Sequence, residues 1–218
     1  MDIYNNVLAM EEYIMLIVAL VFNLIILICE IYVLIKVRRK RNIFKYYTFL
    51  QNFLTAIVSA VFIVGLILNI LFSYQITEYI KGMRYVSCCG LVTATIIYVL
   101  FLSSNNKNKL SNEDFVKLSP KIANVLLHYL CPVFSLLSFI VFEREITLTN
   151  SIWTGLAPLP SCLYWLVYLI LSLTKLWEEP YELASKINGV KGLLLEIFTL
   201  ILIPIVFILV SFLLWQIK

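Results

Sequence analysis

Apolar residues gather along the chain into six long runs, at about 13–37, 46–72, 84–103, 122–142, 152–174 and 192–216, parted by short polar stretches. Wound as α-helices at ~1.5 Å per residue, runs of this length cross a ~30 Å hydrocarbon core. The pattern predicts an all-α polytopic membrane protein, a bundle of six transmembrane helices in one domain over residues 1–218. The third run is the weakest, because Ser87, Cys88, Cys89 and Gly90 stand near its start. Pro158, Pro160 and Pro204 are expected to kink or interrupt their helices, since each removes a backbone donor.

Two runs carry a polar stripe. In the fourth, Asn124, His128, Cys131, Ser135 and Ser138 recur at steps of four, three, four and three; in the second, Thr48, Asn52, Thr55 and Ser59 recur at four, three and four. Such spacing puts each set on one helix face. A polar face meets lipid only at high cost, so both stripes are expected to face the bundle interior.

Composition agrees with a membrane solvent: 62% of residues are hydrophobic and 14% charged, against about 25% charged in soluble domains. The first run is too long for a signal peptide and has no basic segment before it, so it is expected to stay as a helix. The five cysteines (Cys29, Cys88, Cys89, Cys131, Cys162) all lie in apolar runs, without metal-ligand spacing to the single histidine, and read as small buried residues. No metal or organic cofactor is implied.

The distribution of Lys and Arg matters more than the net charge of +4. Loops one, three and five hold thirteen of them: Lys36, Arg38, Arg39, Lys40, Arg41 and Lys45, then Lys107, Lys109, Lys117 and Lys121, then Lys175, Lys186 and Lys191. The other side holds four, Lys81, Arg84, Arg144 and Lys218. By the positive-inside rule these three loops are cytoplasmic and both termini lie outside, in the plasma membrane. The basic run at 36–41 directly follows a spanning helix, so it reads as a topology signal and not as a nucleic-acid patch.

His128 is the one candidate for chemistry that composition alone singles out, because an ionisable side chain at membrane depth is costly. Thr48 lies three residues past Lys45 and His128 seven past Lys121, which is ~5 Å and ~10 Å below the same rim. If the stripes face each other, a hydroxyl nucleophile and its base are within reach of one another. Glu30 and Glu196 are both placed to orient His128, and Asn52 to stabilise an oxyanion. Tyr47, Asn124, Cys131, Tyr164 and Tyr168 are candidates to line a cavity there, and Trp153 reads as an interfacial anchor.

Lys45-Tyr46-Tyr47-Thr48-Phe49, together with Leu127-His128-Tyr129 and Pro132-Val133, resembles the motifs of the androgen-induced protein and ADTRP family, nearest to its bacterial six-helix members. Those members often have Asp where this chain has Ser138. Where the family often has Tyr-Pro-Phe before the last helix, Glu179-Pro180-Tyr181 departs at two of three positions. The resemblance implies a hydrolase of fatty-acid esters, with Thr48 as nucleophile, His128 as base and a membrane lipid or fatty-acid ester as substrate. The alternatives are a proton or small-molecule pathway and an assembly or regulatory bundle.

The topology has a direct check. A cytoplasmic reporter fused after Arg41 or Lys109 should be active and one fused after Lys218 silent; activity at Lys218 would invert the orientation.

Overall fold

The computed structural model describes residues 2–36, 46–102, 118–143, 148–174, 176 and 190–217. These residues are helical throughout, with short connections. Helix α1 spans Asp2–Lys36, α2 Tyr47–Phe72 and α3 Glu78–Ile97, the last continuing through a π-helical turn at Tyr98–Leu102. Helix α4 covers residues 120–142 and alternates between two forms: α at Pro120–Val125 and Cys131–Leu137, π at Leu126–Leu130 and Ser138–Phe142. Then follow α5 (Ile152–Leu156), α6 (Leu159–Leu173) and α7 (Val190–Ile217).

Four segments are long and apolar enough to cross a membrane: Met10–Lys36, Tyr47–Phe72, Glu78–Leu100 and Lys121–Phe142. Their outward faces are apolar and exposed, as at Leu24, Ile28, Val64 and Val133, while their polar residues turn inward. That is the arrangement of a bundle whose solvent is hydrocarbon. The fifth run is two helices, not one. The turn at Ala157–Pro158 separates them, and Pro160 fits in the first turn of α6, where its missing N–H costs nothing. Pro204 lies inside α7, which continues through it.

The four long helices form a ring in which α1 packs on α2, α2 on α3, α3 on α4 and α4 on α1. Helices α2 and α4 therefore stand at opposite corners, with α5, α6 and α7 against the α2–α3 side. Apolar clusters fix the heights. Val33, Phe49 and Leu127 share one cluster, and Ala19 and Phe62 share another.

Arg84 departs from its expected place at the outer rim. It is 1% exposed, inside the bundle, and pairs with Glu143, also 1% exposed. Its Nε and Nη2 donate to Glu143 Oε1 at 3.1 and 2.9 Å, and its Nη1 donates to Ser135 Oγ at 2.8 Å. The Ser135 carbonyl accepts a further bond from Nη2 at 3.0 Å. The same carboxylate oxygen accepts from Ser138 Oγ at 2.6 Å and Asn23 Nδ2 at 3.1 Å. Phe62 lies under the guanidinium, 5.8 Å from its ring centre. With Arg84 removed from the outer loops, the Lys/Arg bias toward loops one, three and five becomes steeper.

Trp153 is likewise drawn into packing. Its ring lies on Gly82, where a Cβ would come within 2.0 Å of it, and meets Tyr79 edge-on.

Removing one partner of a buried ion pair strands the other charge, at a cost of about 3–5 kcal/mol. Arg84→Met or Glu143→Leu alone should lower unfolding free energy in mixed micelles by about that much. The double variant should recover most of the loss. A single variant as stable as the parent would show that the pair carries no such cost.

Candidate functional site

Both polar stripes face inward. Asn52, Thr55 and Ser59 on α2 and His128, Cys131, Ser135 and Ser138 on α4 are all buried; Thr48 and Asn124, near the loop ends, are half-buried. Leu127 and Phe49 share a cluster, which puts their chain neighbours His128 and Thr48 toward the same end of the bundle. What departs from expectation is the distance between the helices: α2 and α4 face each other across the interior, and among the described residues no hydrogen bond joins Thr48 to His128.

His128 lies in the π turn Leu126–Leu130, and Pro132 accounts for that turn. A proline cannot donate to the carbonyl four residues back, here that of His128, and its ring crowds the same carbonyl. The helix widens, and Cys131 N–H reaches back to the Leu126 carbonyl instead. The widened turn aims the imidazole at α3, where it stacks flat on Tyr98 with ring centres 3.7 Å apart and planes 9° apart. Tyr129 meets Tyr98 edge-on. Tyr98 was not evident from the sequence as a site residue, because one tyrosine at the end of an apolar run carries no distinguishing signal. His128 is 4% exposed, and its Nδ1 has no hydrogen-bond partner.

Glu30 is fully buried and belongs to this level. Its carboxyl faces the Cys131 thiol, with Cys29 beside it, and makes no hydrogen bond of ordinary geometry. The antiparallel register that joins Val33 to Phe49 and Ala19 to Phe62 sets Glu30 opposite Asn52 and Asn23 opposite Ser59. Asn52 donates to the Thr48 carbonyl at 2.7 Å, but its Oδ1 is unpartnered, as are Asn23 Oδ1 and Ser59 Oγ. Of the two carboxylates considered as orienting groups, Glu30 lies against Cys131, on the buried face of α4 that also carries His128. The side chain of Glu196 and the loop Glu179-Pro180-Tyr181 lie outside the described residues.

The other cavity-lining candidates are divided. Cys131 borders Glu30. Tyr47, Tyr164 and Tyr168 instead pack into an aromatic cluster with Trp165 and Phe207 on the far side of α2. Tyr47 Oη and Ser161 Oγ share a 2.6 Å bond, and Gln51 accepts from Tyr47 at 3.2 Å. Gln51 lies against Gly90, where a Cβ would fall 2.1 Å from its Nε2. Ser87 donates to Thr55 at 3.0 Å, closing the α2–α3 seam. A separate groove of about 480 Å³, lined by Thr154, Pro158, Cys162 and Phe212 among others, touches neither stripe. Among the described residues no group of His, Cys, Asp and Glu is placed to hold a metal ion.

No family model matches this chain, and no curated protein or solved structure is significantly similar to it.

The stacked pair can be tested through the single histidine, whose imidazole gives one set of ring-proton resonances. Tyr98→Ala should move these downfield, because the shielding ring above them is gone, and Tyr98→Phe should leave them near their parent positions. Indifference to Tyr98→Ala would show that the rings do not stack in solution.

Proposed function

We propose that this chain is an intramembrane hydrolase of lipid esters, built as six membrane-crossing helices with both termini outside the plasma membrane and loops one, three and five cytoplasmic. The observation that carries the reading is His128: the single histidine, buried, held flat by Tyr98 and left with a bare ring nitrogen. The resemblance at 45–49 and 127–133 selects the same two residues.

In this chemistry Thr48 Oγ1 attacks the ester carbonyl as His128 takes its proton. The C–O bond to the alcohol breaks, and the alcohol leaves carrying that proton. Water then attacks the acyl-threonine, and the fatty acid departs as the Thr48 hydroxyl is restored. Thr48 is the second residue of α2, whose N-terminus has no side-chain cap. Backbone N–H groups of an open first turn, with the positive end of the helix dipole, favour a developing oxyanion. The gap between Thr48 and His128 suits the apo state, in which catalytic hydrogen bonds are often long and tighten on substrate.

A second reading has its own support. Unpartnered polar atoms continue from Glu30 and Asn52 to Asn23 and Ser59, ~10 Å further along the bundle. That continuity favours a proton or small-molecule pathway. Against it, Arg84, Glu143, Ser135 and Ser138 fill the outer end with mutually satisfied groups.

Thr48→Ala and His128→Ala should each abolish hydrolysis in a lipid-ester panel, and the double variant should be little worse than either, as for residues acting as a unit. Thr48→Ser should keep part of the activity. Well-folded His128→Ala protein that cleaves esters at the parent rate would exclude the hydrolase. Proton leak through proteoliposomes that depends on Glu30 would favour the pathway.

A further inference from the structure

The two polar layers of the interior differ in one respect. In the outer layer each of the three Arg84 nitrogens donates to an acceptor and Glu143 Oε1 receives four bonds, which leaves Asn23 Oδ1 as the one unmet acceptor of the group. In the inner layer the unmet atoms are mainly acceptors: both Glu30 oxygens and Asn52 Oδ1, with His128 Nδ1 able to accept in one tautomer. The Asn52 amide nitrogen donates to the Thr48 carbonyl, whereas its Oδ1 meets no donor. No cation pairs with Glu30 among the described residues. Buried polar atoms in native proteins nearly always have partners, so this layer is complementary to something that donates.

We infer that the level of Glu30, Asn52 and His128 is a binding site for an uncharged, hydroxyl-bearing lipid headgroup of the glycerol type. A hydroxyl donates to Asn52 Oδ1, which accepts and cannot donate. It also satisfies a carboxyl in either protonation state, accepting from the acid or donating to the carboxylate. An anionic headgroup has no hydrogen to give Asn52 Oδ1, and an ionised Glu30 repels it. An ammonium suits only the ionised carboxyl. The ligand is lipid-borne because the bundle is clothed in apolar side chains and the layer lies within membrane-crossing helices. This inference rests on the hydrolase reading for one point only: the headgroup would then be the alcohol half of the ester, next to the base that gives it a proton. Esters of polyols would be preferred over simple alkyl esters and over esters bearing a second acid group.

The test uses a monoalkyl glycerol ether, which cannot be hydrolysed, and an alkyl methyl ether of equal chain length. Binding to detergent-solubilised full-length protein is followed by thermal shift and calorimetry. The glycerol ether should bind at least about tenfold tighter than the methyl ether, as one or two added hydrogen bonds allow. Glu30→Leu and Asn52→Leu, each verified as folded and monodisperse, should erase that difference. Glu30→Gln should keep most of it, since an amide still meets a hydroxyl, and this conservative variant answers the question if the leucine variants fail to fold. Free glycerol should bind at least about a hundredfold more weakly than the ether; comparable affinity would point to a soluble polyol and overturn the lipid headgroup. Equal binding of the two ethers means that the layer holds water only and overturns the site. Tighter binding of an alkylammonium, lost in Glu30→Gln, overturns it in favour of a cation. Headgroup binding without any ester cleavage leaves the site standing and removes the hydrolase; cleavage without headgroup binding removes the site alone.

Discussion

A guanidinium and a carboxylate fully buried among apolar helices can persist only as a pair, and the pairing of Arg84 with Glu143 constrains everything else in the ring. The two groups are 59 residues apart in sequence, and the groups that complete their coordination come from three helices: Asn23 of α1, Arg84 of α3, and Ser135 and Ser138 of α4. Slipping any one of these helices by one residue rotates its face by about 100° and leaves a charge or a charged hydrogen bond unmet in a medium with no water to offer. The Arg84–Glu143 layer therefore fixes rotation and height together. Glu30 is one heptad below Asn23 on α1, and Cys131 is one turn below Ser135 on α4. The position of the inner layer follows from that of the outer one.

The α4 helix shows how a local sequence feature serves this arrangement. Its polar stripe was laid out in steps of three and four, as a regular α-helix requires, yet two of its turns are π-helical. A π turn adds a residue per turn and would throw a long stripe off its face. Here the α segment Cys131–Leu137 separates the two widened turns, and His128, Cys131, Ser135 and Ser138 stay buried. Pro132 explains the first widening. The second ends at Glu143, whose N–H donates to the Ser138 carbonyl at 2.8 Å, so the turn that closes the helix also delivers the carboxylate to Arg84.

Much of this was legible in the sequence, for identifiable reasons. Hydrophobic runs and one-faced stripes are periodic signals, and they gave the four long helices and the inward faces of the stripes. Arg84 was misread because an arginine at the end of an apolar run looks like a rim residue; only its partner, distant in sequence, reveals otherwise. The break at Pro158 was anticipated, but not that it would divide one run into two short helices. The stacking of Tyr98 on His128, the seat of Gln51 on Gly90 and the contact of Glu30 with Cys131 depend on which helices are neighbours. Periodicity fixes the face a helix presents, not the helix that meets it. For the same reason the diagonal placement of α2 and α4 lay beyond reach.

The contrast between the layers also bears on the plainest alternative, a bundle whose polar stripes merely hold helices together. Polar residues used as glue form bonds across helix seams, and this molecule has such bonds: Ser87 to Thr55, Tyr47 to Ser161, and Tyr85 to the Ser211 carbonyl. Each joins its atoms directly. Leaving a buried polar atom unsatisfied costs about 1–3 kcal/mol, so a set of glue residues gains nothing from unmet acceptors. Glu30, Asn52 and His128 are as deeply buried as the bonded groups yet remain unmet. A chain able to pair Arg84 with Glu143 and to close the α2–α3 seam has the means to pair the acceptors around Glu30 as well. The unmet acceptors there are better explained by a group that comes and goes than by packing, and this favours a binding or catalytic role over a purely structural one.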